Sequence, residues 1–88
     1  MLEEQSQIIQ DIDTGSFINK VIEESKIKPV IVDFWATWCN PCKQLTPILE
    51  KVVLQMNGKV KLVKVDIDQN QSLAQQMQIQ SVPTVLAF

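Results

Sequence analysis

Eighty-eight residues, 45% hydrophobic and 20% charged with two glycines and four prolines, describe one small globular domain, too apolar for a disordered chain. The net charge is −2 and the eight basic residues are lysines scattered along the chain, which leaves no basic footprint for nucleic acid. The longest apolar runs are three or four residues, too short to span a membrane, and the acidic start Met1-Leu2-Glu3-Glu4-Gln5 lacks the apolar core of a signal peptide, so the expected location is the cytoplasm.

Residues 1–7 are polar and expected to fray. Ile8-Ile9 opens a short extended segment that ends at Asp11-Ile12-Asp13. Asp13 or Thr14 is placed to cap a first helix by accepting from its free N–H groups, and Phe17, Ile18, Val21 and Ile22 fall on one face of that helix. Lys28-Pro29 ends it. Residues 30–35 read as a central strand, apolar on both faces except for Asp33. A second helix is predicted from near Pro41, a residue suited to a first helical turn, with Leu45, Ile48, Leu49, Val52, Val53 and Met56 as its apolar stripe. Pro47 lies inside that pattern, removes the bond to the Lys43 carbonyl and predicts a kink.

Asn57-Gly58 is a helix stop and a turn. Val60 to Ile67 reads as a second strongly apolar strand with Val63, Val65 and Ile67 on one face. Asp68-Gln69-Asn70 is placed to cap a short third helix whose Leu73 and Met77 face inward. Six of the twelve residues from Gln69 to Gln80 are glutamine, read as a solvated helix face. Ser81-Val82-Pro83-Thr84 then leads into a last strand, Val85-Leu86-Ala87-Phe88. The order β-α-β-α-β-α-β, without internal repeat, predicts an α/β fold with a partly parallel sheet and helices on both faces.

Both cysteines lie in Trp38-Cys39-Asn40-Pro41-Cys42, between a strand and the start of a helix. The thiolate is the form that attacks a disulfide. Cys39, just before the helix, meets its unsatisfied N–H groups and positive dipole end, so its pKa is expected below the free value of about 8.5. Cys42 lies one turn further in and is expected to be less accessible. Cys39 would then attack a substrate disulfide, and Cys42 would resolve the mixed disulfide. A structural disulfide over two intervening residues closes too small a loop to stabilise much. The chain has no histidine and no second cysteine pair, so a zinc site would need ligands from two chains, and Cys–His catalysis is excluded.

The stretch Val32-Asp33-Phe34-Trp35-Ala36-Thr37-Trp38-Cys39-Asn40-Pro41-Cys42-Lys43 resembles the active-site segment of the thioredoxin family. Val65-Asp66-Ile67-Asp68-Gln69-Asn70 resembles the family's next strand and turn, and Ser81-Val82-Pro83-Thr84 its cis-proline loop. Three matches in order cover about residues 8–88. The resemblance implies a thioredoxin-like mixed sheet flanked by helices on both faces. It implies a thiol–disulfide oxidoreductase that reduces protein disulfides, re-reduced by a thioredoxin reductase-type donor, with no cofactor and no metal beyond the dithiol itself. No nucleic-acid or membrane partner is expected.

From pattern alone Asp33 is equally an exposed strand-end carboxylate. By resemblance it is a buried carboxylate behind Cys42, with a pKa raised by burial and able to exchange a proton with that thiol. Lys64 interrupts the second strand. It is either a lysine whose stem packs while its head reaches water or, by resemblance, a neighbour that tunes Asp33. Only X-Pro bonds readily go cis. The resemblance makes Val82-Pro83 such a bond and assigns the Val82 backbone to pairing with substrate main chain. Trp38 is expected at the edge of the site and Trp35 as a platform beneath it, though both also suit a core.

Between the cysteines stand Asn40 and Pro41, where the family most often has Gly-Pro. Asn40 adds hydrogen-bonding capacity beside Cys39, and Pro41 is expected to keep the pair on the reducing side. By resemblance the domain is incomplete, lacking a last strand and a last helix. The final strand is then expected to expose an unpaired edge, one sheet face to lack a helix cover, and self-association through that edge to be possible. Cys42-Lys43-Gln44-Leu45-Thr46-Pro47 and the glutamine-rich helix also resemble chaperone-linked thioredoxin-like proteins with a tetratricopeptide tail. That branch implies the alternative of a client-binding module.

Overall fold

In the computed structural model, which describes Gln5 and residues 7–88, four strands form one mixed sheet in the order β1-β3-β2-β4. The strands are β1 (Ile9–Asp11), β2 (Val30–Trp35), β3 (Lys61–Asp66) and β4 (Thr84–Ala87). β3 runs parallel to both β1 and β2, and β4 runs antiparallel to β2 at the sheet edge. The parallel pair β2 and β3 is joined through a helical crossover, and both strands lie inside the sheet. The expectation that residues 1–7 fray falls almost wholly outside the described residues. No described helix is long and apolar enough to cross a membrane.

Alternation along the strands makes two unlike faces. Val32 lies opposite Val63 and Phe34 opposite Val65 in the register. These side chains, with Val30, form a buried core under Phe17 and Val21 of the first helical segment and Leu73 of the last helix. Phe88 closes the core with its ring edge-on to Phe17, centroids 5.7 Å apart. The opposite face carries the residues in between. Asp33 lies opposite Lys64, and Lys64 opposite Asp11. Helix α1 (Asn40–Gln55) covers this second face, and α2 (Gln71–Gln76) belongs to the first.

The first helical segment is not one α-helix. It is a 3-10 turn Thr14–Ser16, a π-helical stretch Ile18–Glu23 and a second 3-10 turn Glu24–Lys26. Asp13 caps it as expected, with Oδ1 accepting the Ser16 N–H at 2.9 Å. Bonding i to i+5 widens the repeat. Phe17 and Val21 stay buried and Ile22 packs on the core, whereas Ile18 turns out to solvent.

The stripe read along the second helix is also corrected. Val53 is buried and Leu45 and Leu49 half-buried, but Ile48, Val52 and Met56 are exposed, Ile48 at 59%. The sheet beneath α1 is narrow and partly charged, so one line of contact satisfies it.

β3 begins at Lys61 rather than Val60, and Lys61 is itself buried, its Nζ 3.4 Å from Glu24 Oε1. Burial pushes the Lys61 pKa down, against the pull of the Glu24 charge. Met56 closes α1, and Asn57 and Gly58 follow with positive φ of 54° and 82°, as a helix stop requires. Asn70 stands at the head of α2 without capping it. Its buried side chain instead accepts from the Thr14 N–H at 2.9 Å and donates to the Asp66 carbonyl at 3.0 Å. All six glutamines from Gln69 to Gln80 are exposed, but only Gln71, Gln75 and Gln76 lie on α2, so the solvated face expected of a helix is shared with its flanking turns.

Candidate functional site

The turn that delivers the dithiol is closed by the Cys39 N–H donating to the Ala36 carbonyl at 3.1 Å. Cys39 is extended (φ −91°, ψ 101°) and is the N-cap of α1, with Asn40 and Pro41 in the exposed first turn and Cys42 behind them. Cys39 and Cys42 are joined in a disulfide, with Cα atoms 5.3 Å apart. The Cys42 N–H donates to Cys39 Sγ at 3.2 Å. This sulfur therefore takes the place a capping oxygen usually fills, and negative charge on it is favoured by the helix terminus.

The expected difference in access between the two cysteines does not appear in the oxidised pair. Cys39 is 3% exposed and Cys42 2%. The asymmetry lies in the hydrogen bond, which reaches Cys39 alone.

Ala36 forms a small buried cluster with the two cysteines, and Trp35, Ile67 and Val82 pack against it. Val82 thus comes to the disulfide from the far end of the chain, and its bond to Pro83 is cis. Trp35 lies beneath the site. Trp38 is exposed beside it, its indole N–H donating to Asp68 Oδ2 at 2.9 Å. Asp68 is itself held by its N–H donating to Asp66 Oδ1 at 2.9 Å, so its side chain orients Trp38 rather than capping a helix.

Asp33 is fully buried under α1. Burial raises its pKa, while a hydrogen bond from Thr46 and the charge of Lys64 pull it back and Glu50 pushes it up again. The Thr46 hydroxyl donates to Oδ2 at 2.8 Å, and Oδ1 has no hydrogen-bond partner among the described residues. Lys64 faces Asp33 across the strands, yet its Nζ is committed to Glu50 at 2.9 Å and Asp11 at 3.7 Å. Partial burial lowers the Lys64 pKa, but those carboxylates outweigh it and the net shift is upward. Lys64 reaches Asp33 as a field, not as a bonded partner.

A cavity of about 290 Å³ opens over this arrangement, lined by Trp35, Ala36, Cys42, Thr46, Pro47 and Lys64 among others. The sequence alone gives Thr46 and Glu50 no role at the site and offers Asp68 only as a helix cap. A signal existed for the first two: Cys42, Thr46 and Glu50 recur every four residues, which is one face of a helix. Among the described residues no cluster of His, Cys, Asp or Glu is built to hold a metal.

A helix-capping cysteine disulfide over a buried carboxylate defines a thiol–disulfide oxidoreductase. The sequence profile of the thioredoxin family matches residues 8–88, and the chain belongs to that family. It is 45% identical over 75 residues to a thioredoxin of Rickettsia felis, covering 85% of this chain and 70% of that protein. It is 41% identical to thioredoxin 1 of a Nostoc strain, covering 85% and 69%. It is 38% identical to part of the bifunctional thioredoxin reductase/thioredoxin of Mycobacterium leprae, covering 89% of this chain and 17% of that one. The crystal structure of chloroplastic thioredoxin z superposes with a TM-score of 0.82 at 38% identity, covering 91% of this chain and 69% of that one. The chain is shorter than these relatives.

Proposed function

We propose that the reduced dithiol works in two exchange steps on protein disulfides. The Cys39 thiolate attacks one sulfur of the substrate disulfide. That bond breaks, a mixed disulfide forms on Cys39, and the first substrate sulfur leaves as a thiolate that solvent protonates. Cys42 then passes its proton to the Asp33 carboxylate and attacks Cys39 Sγ. The Cys39–substrate bond breaks, the second substrate sulfur leaves, and the Cys39–Cys42 disulfide remains. Two electrons have moved from the dithiol to the substrate.

The observation that carries this reading is the helix N-terminus aimed at Cys39 above an enclosed Asp33. Supporting roles follow from position. Lys64, held by Glu50, moderates the charge on Asp33. Val82, packed against the dithiol cluster, supplies backbone for pairing with substrate beside Pro83. Trp38, Asn40 and Pro41 form the exposed rim on which a protein substrate lands.

We further infer that a thioredoxin reductase-type donor restores the dithiol, a reading supported by the fused reductase and thioredoxin of M. leprae. Electron transport in the cytoplasm is the setting such a donor implies. The outer edge of β4, which pairs with no strand among the described residues, supports pairing with a further strand there, including one from a second copy.

Insulin reduction by dithiothreitol tests the dithiol reading. Turbidity should rise with wild-type protein and stay at the uncatalysed rate with Cys39→Ser. Equal rates from both would overturn a nucleophilic Cys39.

A further inference from the structure

We propose that Thr46 is a positioning residue for the resolving half-reaction: its hydroxyl pins Oδ2 of Asp33, so that Oδ1 receives the Cys42 proton. The inference rests on Asp33 acting as the proton acceptor and names the group that prepares it.

Thr46 follows Cys42 by four residues, so both side chains leave the same face of α1, and both line the cavity. From there the Thr46 hydroxyl crosses to β2 and donates to Asp33 Oδ2 at 2.8 Å. A hydroxyl donating to one oxygen of a carboxylate makes that oxygen the poorer place for a second hydrogen. Protonation at Oδ2 would force the Thr46 hydroxyl to stop donating and turn round to accept, whereas protonation at Oδ1 keeps the bond as it stands. Oδ1 is enclosed and engaged by no donor among the described residues. The side chain of Thr46 thereby selects the oxygen and holds its plane.

The same bond sets how readily Asp33 ionises. A charge-assisted donor favours the carboxylate form and opposes the cost of burial. Among the described residues the other charged groups on this face are Lys64 and Asp66 of β3, Asp11 of β1 and Glu50 of α1, with Lys43 at the cavity and none from β4. Lys64 is already paired with Glu50 and Asp11. Thr46 is therefore the one hydrogen-bond donor that Asp33 has among the described side chains.

The test isolates the step. Cys39 is loaded as a mixed disulfide with thionitrobenzoate, and its release by Cys42 is followed by absorbance across pH in wild type, Thr46→Val, Thr46→Ser and Asp33→Asn. The rate should climb with pH as Asp33 ionises. In Thr46→Val that limb should move to higher pH, with release about tenfold slower on the wild-type limb and converging above it, the size expected for one hydrogen bond to a charge. Thr46→Ser should restore the wild-type profile, which a merely structural role of the threonine methyl would not do. A Thr46→Val limb that overlies the wild type would overturn the role of Thr46. Carbon NMR of the Asp33 carboxyl separates this from the reading beneath it. If the Asp33 titration moves up in Thr46→Val while Asp33→Asn keeps the wild-type limb, Thr46 tunes Asp33 but Asp33 is not the proton acceptor, and the proposal falls with that reading.

Discussion

The two faces of the sheet come from alternate residues of the same strands, yet they do opposite work. On one face Val32, Phe34, Val63 and Val65 are sealed under Phe17, Val21 and Leu73. On the other, a step of one residue places Asp33 and Lys64 under Thr46 and Glu50 of α1. The first face gains free energy by hiding hydrocarbon. The second gives some of it back by holding a carboxylate away from water, which raises its pKa. A side chain's parity in the strand decides which of the two it serves.

The largest effect that would sharpen this contrast is Phe34→Ala. It should cost about 3–5 kcal/mol, the usual range for emptying a large aromatic from a core. A loss on that scale approaches the whole stability of a small domain. Urea unfolding followed by circular dichroism measures it, and a cost below about 1 kcal/mol would break the division of labour.

Its neighbour should go the other way. Because burial raises Asp33 above its unfolded pKa, the native state keeps a proton that the unfolded chain has released. Stability is therefore full below the ordinary carboxylate range and is lost as pH rises through the raised value. Asp33→Asn, whose amide oxygen still accepts from Thr46, should stabilise on the order of 2 kcal/mol at neutral pH. The gain should fade toward acid, and disulfide reduction should slow. Urea midpoints against pH check the first part and insulin turnover the second. A destabilised Asn variant would show that the carboxylate is not held at a cost.

Lys61 offers a smaller comparison, since it is the charge buried at the end of the apolar face. Lys61→Met leaves Glu24 partly open to water and should be neutral or stabilise by about 1 kcal/mol in thermal melts. Smallest of all, Ile48→Ser on the exposed side of α1 should change stability by no more than about 0.5 kcal/mol. A larger loss that grows with protein concentration in light scattering would mean that a second copy covers the stripe.

What the sequence made legible was whatever is written locally. The dithiol, its strand-to-helix setting, the Asn57-Gly58 stop and the glutamine face are short patterns with one physical meaning each. The cis Val82-Pro83 bond and the burial of Asp33 came through family resemblance, because pattern alone left both open. The misses share a cause in that each depends on a partner far along the chain. Thr46 reads as an unremarked polar residue in a helix until β2 brings Asp33 beneath it. Lys61 reads as the flank of an apolar run until Glu24 arrives from the first helical segment. That segment looked α-helical because four apolar residues fit a 3.6 repeat, and its irregular winding is visible only against the core.

Pro47 has a further consequence, in motion. It has no N–H, so the Lys43 carbonyl lacks its rung in the ladder of α1. The helix is then two lengths with separate moorings: the dithiol half is tied down at Thr46 to Asp33, the distal half at Glu50 to Lys64 and by Val53. Each catalytic cycle makes and breaks a covalent bond within the first turn, and the missing rung at Pro47 is expected to let that turn shift without dragging the rest. Hydrogen exchange should show this as a step. Amides from Cys42 to Thr46 should exchange faster in the reduced protein than in the oxidised one, while those from Lys51 to Gln55 exchange alike in both.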